Sequence, residues 1–152
     1  YEANVASVAG KMDNRVIAAY QQLGFKLVVD PSVNYSGYFD ARSRSITMKQ
    51  IDDSVYHELG HFLAFIAGNA DKTASFQSIF AAEKANVTAF NKAYVTQNAS
   101  EYFAESVKDY ILNNASLKST RPQTYAAVQN ALNQITDAQI AKIQKIYGAF
   151  WN

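Results

Sequence analysis

The chain contains two histidines, and both stand in one pentapeptide, His57-Glu58-Leu59-Gly60-His61. This is the HExxH pattern, in which two imidazoles four residues apart come round to one side of a helix and the glutamate between them serves as general base. At 100° per residue Val55, Leu59, Phe62, Leu63 and Ile66 form one apolar stripe; His57 and His61 fall at about 200° and 240°, opposite it, and Glu58 at about 300°. Zinc suits such donors. Neutral imidazole binds it well, and a catalytic site needs three protein ligands with a fourth position left open. The plainer alternative, a pair of exposed histidines beside a solvated glutamate, is equally compatible with a position away from the stripe.

The pentapeptide supplies two of three ligands, and with no histidine left the third has to be a carboxylate on a segment able to pack beside the first helix. Asn98-Ala99-Ser100-Glu101-Tyr102-Phe103-Ala104-Glu105 opens a later helix with Glu101 and Glu105 one turn apart on one face. Glu101 is the candidate ligand. Glu105 would accept a hydrogen bond from the far ring nitrogen of a liganding histidine, and which histidine stays open. On spacing alone Glu101 reads equally as a capping-box residue three positions after Asn98, and Glu105 as an ordinary surface charge. Glu83 is a rival ligand, ranked lower because it sits beside Lys84 in what reads as a solvated face.

The elements that must carry these residues are legible in outline. Val5, Val8, Met12, Val16, Tyr20 and Leu23 recur at helical spacing and stop at Gly24, where a left-handed cap ends a helix. Phe25 to Val29 is a short β-branched run closed by Asp30 and Pro31. Gly37 to Phe39, the polar stretch Asp40 to Arg44, and the alternation at Ile46 and Met48 predict a hairpin. From Asp53 onward the pattern is helical, with helices expected near 54–67, 73–90, 99–114, 122–133 and 137–148. Asp71 or Thr73 and Asn98 are N-cap candidates, Gly68 with Asn69 ends the metal helix, and Pro122 suits a first turn. The expected fold class is α+β, one domain over residues 1–152 with a small sheet at about 25–50.

Composition narrows the function. At 152 residues, with 49% hydrophobic and 18% charged side chains, the chain can bury a core without staples, so a metal would work rather than hold. Fourteen basic against thirteen acidic residues, with no basic block, give no footprint for nucleic acid. No apolar run approaches the ~20 residues of a membrane span. Zero cysteine rules out disulfides, thiolate metal sites and cysteine nucleophiles. The start at Tyr1, without methionine or targeting segment, reads as a processed or truncated chain.

His57-Glu58-Leu59-Gly60-His61 followed by Glu101-Tyr102-Phe103-Ala104-Glu105-Ser106 resembles the small zinc endopeptidases that include the anthrax lethal factor protease domain and the clostridial Pro-Pro endopeptidases. The stretches Asp71 to Glu83 and Leu117 to Tyr125 are also similar to Pro-Pro endopeptidase segments, so the likeness covers about 55–132, weakens before it, and leaves a terminal helix unplaced. The resemblance implies a mostly helical, zincin-like minimal metalloprotease of the gluzincin type. It assigns one Zn2+ ion to His57, His61 and Glu101, the general base to Glu58, and support of the ligands to Glu105. It also implies a role for Tyr94, seven positions before Glu101, where the family keeps a tyrosine whose hydroxyl points at the metal site. Without the likeness, a packed aromatic is the plainer reading of one tyrosine among ten. One departure stands out: the Pro-Pro endopeptidases carry a long aromatic insertion before the HExxH helix, and here only Val33 to Gln50 fills that interval.

The expectation is thus a secreted zinc endopeptidase that hydrolyses internal bonds of extracellular or host proteins, Pro-containing sites among them, with export implied by the family alone. Gly37, Tyr38 and Phe39, or else the strand at Ile46 to Met48, are expected to pair with an extended peptide substrate by strand addition. The competing reading is a catalytically silent toxin or adhesion module that keeps the fold and uses its aromatic-rich surface for a protein partner.

Overall fold

A computed structural model describes residues 1–151. It is α+β, with a four-stranded mixed sheet and nine α-helices among the described residues. The sheet order is β1-β2-β4-β3: β1 (Glu2–Ala3) runs antiparallel to β2 (Lys26–Val29), β2 parallel to β4 (Ser45–Met48), and β4 antiparallel to β3 (Gly37–Asp40). The expected hairpin is therefore β3–β4, in the register Gly37 opposite Met48 and Asp40 opposite Ser45, and it leaves β3 as an edge strand. Fully buried Tyr20 ties the parallel pair together: its hydroxyl donates to the Lys26 carbonyl and accepts the Ile46 amide at 3.1 Å.

The opening helix is two helices, α1 (Val5–Val8) and α2 (Asn14–Gln22), because Asp13 starts a new turn by accepting the Arg15 amide. Gly24 at φ +79° ends the second with the left-handed turn its position predicts. The HExxH motif lies on α3 (Ser54–Ile66), which ends at Gly68 and Asn69, both at positive φ. A short 3-10 turn, Ala70–Lys72, leads to α4 (Ala74–Glu83), which Thr73 caps by accepting the Phe76 amide.

The helix expected over 73–90 stops at Glu83, and the reason is long-range. Glu83 is 5% exposed, not solvated, because its carboxylate accepts the Gln123 and Thr124 amides and the Thr124 hydroxyl at 2.7–3.1 Å. It thereby caps α8 (Pro122–Asn133), a place for negative charge that the Pro122 first turn leaves open. After it come α5 (Lys92–Val95), α6 (Ala99–Leu112), α7 (Asn114–Thr120), which spacing did not suggest, and beyond α8 the terminal α9 (Asp137–Trp151).

α3 is buried on nearly every side: ten of its thirteen residues are buried, His57 and Glu58 among them. One face packs on the sheet and α2; the other, which the helical wheel leaves away from the apolar stripe, packs on α6. Gly60 makes that second contact, since a Cβ there would lie 2.6 Å from the Ala104 carbonyl oxygen and 2.7 Å from its Cα. A mid-helix glycine costs about 1 kcal/mol against alanine, offset here by the close approach of two backbones.

Candidate metal centre

α3 and α6 meet at the Gly60–Ala104 contact, with His57 against Glu105 and His61 against Glu101, which brings the first turn of α6 to the two histidines. Asn98 sets that turn by accepting the Glu101 amide at 2.8 Å, so Glu101 is held by a cap and keeps its own side chain free. Glu101 Oε1 lies 3.0 Å from His57 Nε2 and 2.9 Å from His61 Nε2. The three ligand atoms all stand within 4.8 Å of one another. Tetrahedral donors ~2 Å from one ion stand ~3.3 Å apart, so the 2.9–3.0 Å contacts of Glu101 with the two imidazoles suit a shared divalent ion after a small adjustment. Two imidazoles and one carboxylate are also the chemistry zinc prefers when a coordination position stays open.

The surroundings orient these donors. His57 Nδ1 donates to Glu105 Oε1 at 2.8 Å, which answers which histidine Glu105 touches and turns Nε2 toward Glu101. Burial works to lower the His57 pKa, but hydrogen bonds to Glu101 and Glu105 outweigh it and raise it to about 9. The same contacts, against burial, hold the Glu101 and Glu105 carboxyls below the ordinary range. A place that attracts a proton between imidazole and carboxylate attracts a metal cation for the same reason.

Glu58 projects beside this cluster, 7% exposed, and burial pushes its carboxyl up, opposed by His57 and His61. Strand β3 passes against it: a Cβ on Gly37 would meet Glu58 Cγ at 2.8 Å. Phe39, two residues along, stacks on His61 with ring centres 6.4 Å apart. Tyr38 points to the opposite face of the strand, where its ring meets Tyr35 instead of the histidines. Tyr94, on the short α5 and about half exposed, aims its hydroxyl at Glu101 Oε2 from 3.4 Å, with its ring 6.4 Å from that of His57. Burial and the carboxylates of Glu101 and Glu58 raise its pKa, so it stays a hydroxyl donor. An open cavity of about 750 Å³ adjoins the cluster at Glu105, lined by Ser36, Asp52, Phe90 and Lys108 among others.

Two contributors were not singled out by sequence reasoning. Gly60 carried a signal, a glycine inside an otherwise apolar helical run. Asp71 was weighed only as a cap; it is 4% exposed and accepts a short hydrogen bond from the Ser100 hydroxyl, tying the segment after α3 to the residue preceding Glu101.

An HExxH helix packed on a glutamate-bearing neighbour is the arrangement of a zinc-peptidase-like metal site, and the comparisons agree with it. The family described as anthrax toxin lethal factor, N- and C-terminal domain, matches residues 10–131, and the chain belongs to it. The match reaches well before residue 55, where the motif likeness faded, and it leaves α9 outside. The chain is also similar to a Pro-Pro endopeptidase of Clostridioides difficile (strain 630), 41% identical over 78 residues. That alignment covers 49% of this chain and 34% of the relative, so it spans about a third of the relative's length. Among the described residues no helix is long and apolar enough to cross a membrane.

Proposed function

We propose that residues 1–152 act as one zinc metallopeptidase domain that is exported and hydrolyses internal peptide bonds of extracellular or host proteins. The observation that carries this reading is the convergence of His57, His61 and Glu101 at one point, with a buried carboxylate, Glu58, beside it. His57 Nε2, His61 Nε2 and a Glu101 oxygen would hold the ion, and Glu105 would fix His57 through Nδ1. When bound, zinc supplies Lewis acidity, polarising the scissile carbonyl and making water acidic enough to attack near neutral pH.

The chain's own residues do the rest. Glu58 takes the proton of the attacking water on its carboxylate, which burial makes a stronger base than an exposed glutamate. It then gives that proton to the departing amide nitrogen, so no proton is gained or lost over the cycle. Tyr94, whose hydroxyl reaches Glu101 Oε2, donates it to the oxyanion that forms on the carbonyl. β3, a free edge, offers Gly37 to Phe39 as a pairing strand, and a residue larger than glycine at 37 would press on Glu58. The Pro-Pro endopeptidase likeness supports substrates with proline near the cut, read with the short Val33–Gln50 interval in place of that family's insertion.

A proteome-derived peptide library incubated with zinc-loaded protein tests this. Cleavage is expected, lost with chelator, restored by zinc, and reduced at least ~100-fold in Glu58→Ala, which keeps its zinc. No cleavage by fully zinc-loaded wild type would favour the silent binding module.

A further inference from the structure

The terminal helix α9 lies outside the family match, yet it touches the strand that frames the metal centre. The Trp151 Nε1–H donates to the Ala41 carbonyl in the β3–β4 turn at 3.0 Å. Arg44, in the same turn, is held at φ +53°, a conformation rare outside glycine, with its guanidinium 5.2 Å over the Trp151 ring. The same guanidinium donates to the Leu23 carbonyl at the end of α2. From the indole a run of rings leads inward. Trp151 meets Phe25 edge-on at 5.6 Å, Phe25 stacks on Phe39 at 6.1 Å, and Phe39 stacks on His61. On the helix side Tyr147 of α9 packs on Phe65 of α3 at 4.8 Å.

These contacts give α9 two grips, one on the metal helix and one on the hairpin turn. We infer that Trp151 is a positioning residue: through Ala41, Arg44 and the Phe25–Phe39 pair it sets the edge strand β3 at its working distance from α3. This rests on the reading of β3 as the strand that receives a peptide. The four-residue strand β3 lies at the sheet edge and pairs on one side only, with β4, so its outer side has no strand to hold it. The turn distal to Gly37 is where an external clamp has most leverage, and the strained Arg44 backbone is retained where the indole stacks on it. A looser β3 would weaken substrate pairing in ground and transition states alike, which appears in KM and spares kcat.

The test compares zinc-loaded wild type with Trp151→Phe, which keeps a ring and loses the donor, and Trp151→Ala, which loses both. Hydrogen exchange read by mass spectrometry should be about fivefold faster or more over residues 37–41 in Trp151→Ala and intermediate in Trp151→Phe, with α3 and α6 unchanged. Zinc affinity should stay within about twofold, and on a cleaved peptide KM should rise about three- to tenfold with kcat nearly constant. Unchanged exchange over 37–41, or loosening of α3 and α6 and loss of zinc in step with β3, would overturn the inference in favour of a general packing role. If Trp151→Ala does not fold, Trp151→Phe decides alone. If wild type cleaves nothing, the peptidase reading fails while the exchange pattern still settles the clamp.

Discussion

His57 sits between two acids, and that single fact controls how the site responds to protons and to metal. Its folded pKa of about 9 lies above the ordinary 6.5, so in chelated protein the residue is charged at neutral pH. Its contribution to stability is complete below about 6.5 and is lost as pH rises through about 9. Zinc competes with that proton. Its affinity should therefore climb with pH across the same window, by up to ~tenfold per unit where one proton leaves per ion. Zinc titrations at several pH values between these limits measure it, and a flat affinity would show that His57 does not exchange a proton for the ion. Glu105 contributes by orientation: Glu105→Ala frees the His57 ring and should weaken zinc binding ~10- to 100-fold while leaving the three donors in place. Wild-type affinity in that variant would mean the 2.8 Å contact is incidental.

At the scale of elements the site depends on how closely α3 and α6 approach. Gly60→Ala puts a methyl group 2.6–2.7 Å from backbone atoms of Ala104, which cannot swing aside as a side chain can. The gain in helix propensity, about 1 kcal/mol, is outweighed by separation of the helices, with a net loss of about 1–3 kcal/mol in a denaturant titration. Zinc affinity should fall with it, because the donors stand on both helices; full stability with full affinity would contradict the close packing. Much of this arrangement was legible in the sequence where the physics is local. HExxH spacing, the Asn98 cap and the Gly24 and Gly68 terminators are decided within one or two turns, and these starts and stops fall where their residues put them. What was illegible is long-range. Glu83 looks like a surface charge beside Lys84 until α8 arrives to be capped by it. The histidine face of α3 looks outward on a helical wheel because a polar face satisfied by carboxylates from another helix has the same period as one satisfied by water. The parallel β2–β4 pairing and the two-residue β1 depend on register across the chain, which no local pattern encodes.

Taken as a whole molecule, the chain combines a lethal-factor-family body over residues 10–131 with a terminal helix that reaches the β3–β4 turn through Trp151. The buried hydrophobic cluster runs from Val5 through α3 and α6 to Ile143, so sheet, helices and α9 share one core. Specificity belongs to this scale as well. On the proposed peptidase reading, the short Val33–Gln50 interval predicts tolerance of varied residues around the cut when cleavage sites are sequenced. The centre itself is tested most directly by isothermal zinc titration of the chelated and refilled protein at constant pH, alongside His57→Ala, His61→Ala and Glu101→Ala. One ion per chain is expected in wild type, with affinity at least ~tenfold weaker in each of the three variants. A stoichiometry other than one, or a variant that binds zinc as tightly as wild type, would contradict the assignment of these three side chains to a shared ion.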